Sequence, residues 1–171
     1  MIAISPTKLQ GVVSITPSAM HEDFRGTNTE IFNEKIYEES VANVKWKMDS
    51  VSTSSRHVLR GIHGDDSTWK LITCLHGSIY LVVVDARPTS SKFRQWVSFT
   101  LSDKNRKQVL VPPGFGNAHL VMSDHAVFYY KWSEYYDRLN QFTIKWNDPE
   151  YNIWWPVSNP ILSERDSFLN S

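Results

Sequence analysis

Apolar and polar residues alternate along this chain in short runs, a two-residue period that predicts strands rather than helices. "VKWKMDSVSTS" (44–54) alternates in part and is rich in β-branched residues. "HVLRGIH" (57–63) and "WKLITCLHGSIYLVVVDAR" (69–87) follow, the second long enough for two strands bent at Gly77. Further runs are "RQWVSFTL" (94–101), "KQVLVP" (107–112), "NAHLVMS" (117–123), "AVFYYKWS" (126–133) and "QFTIKW" (141–146). Turn-forming clusters separate them, most clearly "GDDST" (64–68), "RPTSSK" (87–92) and "SDKNRK" (102–107). Short strands at such intervals predict an all-β fold, for which a double-sheet jelly roll with a pocket between its inner faces is the natural architecture. Helix signals are confined to "SPTKLQ" (5–10) and "LSERDSF" (162–168), where a serine precedes polar helix formers and predicts a few short helical turns.

Length and composition narrow this picture. A chain of 171 residues without repeats, low-complexity tracts or a linker suits a single domain over 1–171 with a full core. Hydrophobic residues at 41% and aromatics at 13% argue for an ordered globular fold and against disorder. Eighteen basic and eighteen acidic residues cancel, so no global field recruits nucleic acid or an anionic membrane. A local basic cluster can still bind phosphate. The single cysteine, Cys74, lies in an apolar run and is expected to act as a small buried hydrophobe. "MIAISPTKLQGVV" lacks the pattern of a signal peptide, and no apolar stretch approaches the ~20 residues of a membrane helix. A soluble cytoplasmic protein is expected.

Several residues inside the strands do not suit a plain core. "VLRGIHG" places Arg60 and His63 beside apolar neighbours. Residues 63 and 70 flank the "GDDST" turn, so a hairpin would bring His63 near Lys70. Alternation puts Phe128, Tyr130 and Trp132 on one face of their strand, and Asn117 and His119 on one face of theirs. If those faces line the barrel, its pocket holds an imidazole, an ammonium, a phenol, an amide and a guanidinium. Packing roles stay open: Tyr130 as a core residue with a satisfied hydroxyl, Lys70 and Arg60 as side chains that snorkel to the rim. His57, His76 and His125 lack clustered partners and read as structural or exposed.

A metal is disfavoured by the same residues. A metal-binding barrel would supply a His-x-His pair, a downstream Glu and a later histidine. "GIHGDDSTWK" has Gly61 where the first histidine would stand, and "VPPGFGNAHL" has Asn117 where the last would be. An amide is a poor ligand for first-row transition metals, and such sites need three or more ligands.

These segments resemble a known family. "VLRGIH", the following "KL", "VVVDAR", "VPPGF", "YYKWSEYYD", "IKWNDPEYNIWWP" and "LSERD" occur in the order and spacing of the dTDP-4-dehydrorhamnose 3,5-epimerase family. "DFRGTNTEIF" (23–32) is similar to that family's N-terminal stretch, so the resemblance spans residues 23 to 166. It implies a cupin-type jelly roll that needs no metal or cofactor, is usually a homodimer, and acts on nucleotide-diphosphate-linked 4-keto-6-deoxy sugars. It implies that His63 is the base, Asp166 the carboxylate that orients it, Lys70 the cation beside the developing enolate oxygen, and Tyr130 the phenol that returns a proton from the opposite face. It also implies that Arg25 and Arg60 bind the diphosphate, Glu30 the nucleotide region, and Tyr135 the base or sugar.

The chain departs from the family pattern at a few positions. Residues 115 to 119, usually Phe-Ala-His-Gly-Phe, are Phe-Gly-Asn-Ala-His, so Asn117 replaces a histidine and His119 a phenylalanine. Met48 and Ser50 stand where thymidine-using members carry amides. This variant pattern resembles the subgroup that epimerises GDP-linked 4-keto heptoses for bacterial capsule or lipopolysaccharide, since specificity follows the hydrogen-bonding groups of the pocket. Two rival readings remain at this point: a metal-dependent cupin enzyme, and a barrel that binds sugar nucleotide without turning it over.

Overall fold

The computed structural model describes residues 2–17 and 21–168. Strands β1 (Ala3–Pro6), β2 (Val13–Thr16), β3 (His21–Asp23) and β4 (Gly26–Asn28) precede helix α1 (Glu34–Ser40). Then come β5 (Met48–Ser55), β6 (Leu59–Gly64), β7 (Lys70–His76), β8 (Ser78–Asp85), β9 (Trp96–Ser102), β10 (Gln108–Val111), β11 (Phe115–Val121) and β12 (His125–Trp132). A 3-10 turn (Arg138–Asn140), the two-residue β13 (Phe142–Thr143) and α2 (Glu164–Ser167) complete the order.

Two antiparallel sheets face each other, one in the order β1-β2-β10-β7-β12-β5 and the other β13-β6-β11-β8-β9. From β5 onward each strand crosses to the other sheet except at the β8–β9 hairpin, and the architecture is the expected jelly roll. The core between them takes Ile72 and Cys74 from β7, Leu81 and Val83 from β8, and Phe128 from β12. Cys74 is fully buried there, and burial pushes its thiol up to about 11, which keeps it protonated. The run "YLVVV" does not alternate because β8 is covered on both faces. Its other side chains, Val82 and Val84, meet the later segment carrying Trp146, Tyr151 and Trp155. On the outside of the six-stranded sheet, Tyr37 of α1 packs with Ile15, Leu71 and Leu110, and its hydroxyl hydrogen-bonds buried Gln108.

Expected and observed elements differ where pairing overrides local signals. "SPTKLQ" contributes to strand β1 and a following turn instead of a helical turn, because residues 3–6 pair with 13–16. The helical turn expected in "LSERDSF" is α2, with the Ser163 side chain accepting from the Asp166 N–H. Helix α1 was not expected; Asn33 caps it by accepting from Ile36 N–H. β6 and β7 do not form the expected hairpin. They belong to opposite sheets, so His63 and Lys70 approach across the sandwich.

The bend at Gly77 also moves the chain from one sheet to the other. Its φ is +76°, and a Cβ there would lie 2.2 Å from the His125 carbonyl oxygen. Gly77→Ala is expected to destabilise the fold by roughly 1–3 kcal/mol from backbone strain alone. Urea titration should show a lower midpoint at an unchanged slope.

Candidate active site

Regular alternation would send Arg60 and His63, three residues apart, to opposite faces of β6. A bulge prevents this. On β11, Asn117 pairs with His63 and His119 with Arg60, so β6 spends one more residue than its partner over this stretch. Gly61 makes the bulge possible. Its φ is +114°, and a Cβ would lie 2.5 Å from the Asn117 carbonyl oxygen and 2.8 Å from Ala118. No histidine can occupy that position, which removes the first ligand of the metal pattern for a steric reason. Among the described residues, no three His, Cys, Asp or Glu side chains cluster as a metal site.

Arg60 and His63 thereby share a cleft of about 420 Å³ between the sheets, together with Lys70, Asn117, His119 and Tyr130. His63 Nε2 lies 2.6 Å from Asp166 Oδ1. The second carboxylate oxygen accepts from Gly61 N–H at 3.3 Å. Burial acts to raise the Asp166 pKa, but the His63 hydrogen bond and charge, the Gly61 N–H and Ser163 outweigh it and hold the carboxyl below its usual range. An ionised carboxylate can only accept, so Nε2 carries a proton and Nδ1 is the basic nitrogen of neutral His63.

Lys70 is 3% exposed. Its ammonium donates to Asn117 Oδ1 at 3.1 Å and the His63 carbonyl at 3.4 Å, and lies 4.9 Å from the Trp132 ring centroid. Burial lowers its pKa to about 8; Asp65 opposes the shift and Arg165 adds to it. Along the facing wall, His119 stacks on Phe128 at 4.0 Å, and Phe128, Tyr130 and Trp132 follow at 4.8 Å spacings. Burial, then the neighbouring Tyr136, raises the Tyr130 pKa, so this phenol is a neutral donor. His119 is 3% exposed; burial, then Arg60, lowers its pKa to about 3, leaving a neutral imidazole whose Nε2 has no hydrogen-bond partner among the described residues.

Three of the expected binding residues do not line this cleft. Arg25 sits on the exposed β3–β4 hairpin, ion-paired to Asp23 at 2.6 Å. Glu30 follows that hairpin and accepts from the Asn33 side chain. Tyr135 is 73% exposed and faces an adjoining hollow, because the chain leaving β12 turns the next residue, Tyr136, inward instead. Arg165 was not anticipated. It enters the cleft from α2, held by the Thr143 hydroxyl at 2.9 Å and by Gln141. Its place directly before Asp166 was the available signal. Neither Arg60 nor Arg165 forms an ion pair with a carboxylate among the described residues, so the cleft carries uncompensated positive charge suited to phosphate oxygens.

A two-sheet barrel thus brings an oriented imidazole, a buried ammonium and a neutral phenol into one cleft, groups equipped to move protons. The chain belongs to the dTDP-4-dehydrorhamnose 3,5-epimerase family, whose model matches residues 6–171, and it is an isomerase of the epimerase type. The dTDP-4-dehydrorhamnose 3,5-epimerase of Escherichia coli (strain K12) is 39% identical over 168 residues, covering 95% of this chain and 90% of that protein. The crystal structure of dTDP-6-deoxy-D-glucose-3,5-epimerase from Legionella pneumophila, in complex with dTDP-4-keto-L-rhamnose, superposes with a TM-score of 0.93 at 34% identity, covering 98% of this chain and 91% of that one. A 3'-monoepimerase from Streptomyces bikiniensis, in complex with dTDP-quinovose, gives 0.89 at 29% identity, covering 95% and 84%.

The His119 shift has a sign for stability. The folded imidazole titrates at about 3 against 6.5 for an unperturbed one, so below 6.5 the unfolded chain takes up the proton and stability falls until the folded group titrates too. Between pH 6.5 and 4.5 this one group should contribute a loss of up to about 2.5 kcal/mol. Denaturant titrations across that interval should show His119→Phe with a flatter profile than the native protein.

Proposed function

We propose that the protein inverts C3, C5 or both of a nucleotide-diphosphate-linked 4-keto-6-deoxy sugar, using no metal or cofactor. One observation carries this reading: His63, oriented by Asp166, and Tyr130 enter a single cleft from opposite sheets, with the Lys70 ammonium beside them. The 4-keto group acidifies the neighbouring C–H bonds. His63 Nδ1 takes the proton, the bonding pair moves into a carbon–carbon double bond, and the carbonyl oxygen becomes an enolate oxygen. Lys70 stabilises that charge in a dry site, where it is worth most. Tyr130 returns a proton to the other face, and solvent restores both groups. A single base would return the starting configuration.

Arg60 and Arg165 hold the diphosphate on this reading, with Asn117 and His119 toward the sugar. Arg25, Glu30 and Tyr135 lie off the cleft of one chain, so we include a homodimer in the proposal, a second copy bringing Arg25 and Glu30 to the nucleotide and Tyr135 flanking it. The nucleotide we propose is GDP and the sugar a 4-keto heptose, used in the cytoplasm for capsule or lipopolysaccharide. Met48 and Ser50 on the cleft wall cannot offer the amide groups that thymine-binding members place there. The named relatives act on dTDP sugars, which makes a dTDP-4-keto-hexose the competing substrate.

Incubation with GDP-4-keto-heptose and dTDP-4-keto-hexose in deuterated water tests these points together. Mass spectrometry should show deuterium at C3, C5 or both, faster with the GDP heptose, and His63→Asn should lower the rate by at least about 100-fold. Preference for the dTDP hexose would overturn the nucleotide proposal alone; no exchange with either would overturn the epimerase reading. Tyr130→Phe should spare exchange more than inversion, because the phenol acts after the enolate forms.

A further inference from the structure

We infer that Asp65, in the turn between β6 and β7, is a positioning residue that fixes the spacing of His63 and Lys70 and supplies the counter-charge to the buried Lys70 ammonium. The inference rests on the reading of Lys70 as the cation beside the enolate oxygen.

Asp65 is 7% exposed, far less than a turn carboxylate ordinarily is. Its Oδ1 accepts three hydrogen bonds, from Ser67 N–H at 3.0 Å, Ser67 Oγ at 3.1 Å and Thr68 N–H at 2.7 Å. Its backbone oxygen accepts from Gly114 N–H at 2.8 Å, which ties the turn to the one that launches β11 and hence Asn117. One residue therefore pins both segments that aim polar groups at the ammonium. The Thr68 side chain adds a hydrogen bond to the same carboxylate, which borders the hollow beside Tyr135.

The groups around Lys70 leave Asp65 as the source of its counter-charge. From β6 it meets the His63 carbonyl, from β11 the Asn117 amide oxygen, and from β12 the Trp132 ring; all three are neutral. From α2, Arg165 adds positive charge, and the neighbouring Asp166 is engaged by His63. Among the described residues Asp65 is the carboxylate whose charge opposes the effect of burial on Lys70; against burial, its own carboxyl is held below the usual range by the Thr68 side chain and the Ser67 N–H first, and by Lys70 after them. A buried ammonium beside a guanidinium, with only neutral contacts, would release its proton near the pH at which the enzyme must work.

Asp65→Asn separates the two roles. The amide oxygen can still accept from Ser67 and Thr68, so the turn survives while the charge is lost. The alkaline limb of the kcat/KM profile should move down by about one unit, read as a tenfold loss at a fixed pH on that limb. The acid limb should not move. Lys70→Arg, whose guanidinium does not titrate in this range, should move the alkaline limb up to the one set by loss of the Tyr130 proton and make Asp65→Asn silent upon it. If Lys70→Arg moves the limb and Asp65→Asn does not, Asp65 is only structural; if Lys70→Arg leaves the limb in place, the Lys70 reading fails and this inference with it. The native protein supplies a check independent of variant folding: the ¹³Cε resonance of Lys70 should titrate at or above pH 7.5, and a midpoint below 7 would show that the ammonium has no effective counter-charge.

Discussion

The site depends on one contact, between the Asp166 carboxylate and β6. Asp166 lies 103 positions after His63, and its two oxygens take the His63 imidazole and the Gly61 backbone N–H. A carboxylate that is 3% exposed is costly to bury unless hydrogen-bonded. Here the desolvation is offset by donors that are themselves the features needed for chemistry: the ring to be oriented, the bulge that turns it inward, and the cap of α2. Loss of any one would leave a buried charge under-satisfied, so geometry and stability are coupled at this point.

The jelly roll then explains how groups from distant segments converge. Inward positions of β7, β11 and β12 run from apolar to polar along each strand: Cys74 and Ile72 lead to Lys70, Val121 to His119 and Asn117, Phe128 to Tyr130. The core and the cleft are one continuous interior, dry at one end and open at the other. This gradient is why Lys70 feels full desolvation although a cleft adjoins it, and why its charge acts through a low dielectric. Three cationic side chains reach the cleft against one engaged carboxylate, an imbalance that a neutral chain achieves only locally.

Much of this was legible in the strand pattern, and the failures share a cause. Period-two alternation placed Phe128, Tyr130 and Trp132 together, and Asn117 with His119, as their common lining of the cleft shows. The same rule separates Arg60 from His63, since a bulge is set by the close approach of β11 at Gly61 and leaves no periodic trace. Tyr135 and Tyr136 are chemically identical neighbours, and only the path of the turn after Trp132 decides which faces inward. Arg165 lies in a short polar turn with no alternation to mark its direction. At the N-terminus, a serine before helix formers read as a cap, yet pairing of β1 with β2 overrode that local signal. Each miss lies where tertiary contact, not local sequence, selects the conformation.

The departures from the family pattern fit the same physics. Lys70 can only donate, so the Asn117 amide must turn its oxygen to the ammonium and its Nδ2 away, an orientation fixed without a second charge. His119 makes an aromatic contact, as a phenylalanine could, lying nearly parallel to Phe128 at an interplanar angle of 10°. Its orphaned Nε2 costs about 1–3 kcal/mol, and an imidazolium there would cost more, beside Arg60 and out of water. Burial keeps the ring of the folded protein neutral down to a pH of about 3. Both positions therefore present neutral hydrogen-bonding groups to the cleft and add no charge to it. On the proposed reading the base, the oxyanion partner and the acid depend on charge while the choice of sugar depends on hydrogen bonds, so a cleft altered in this way can change its substrate without changing its reaction.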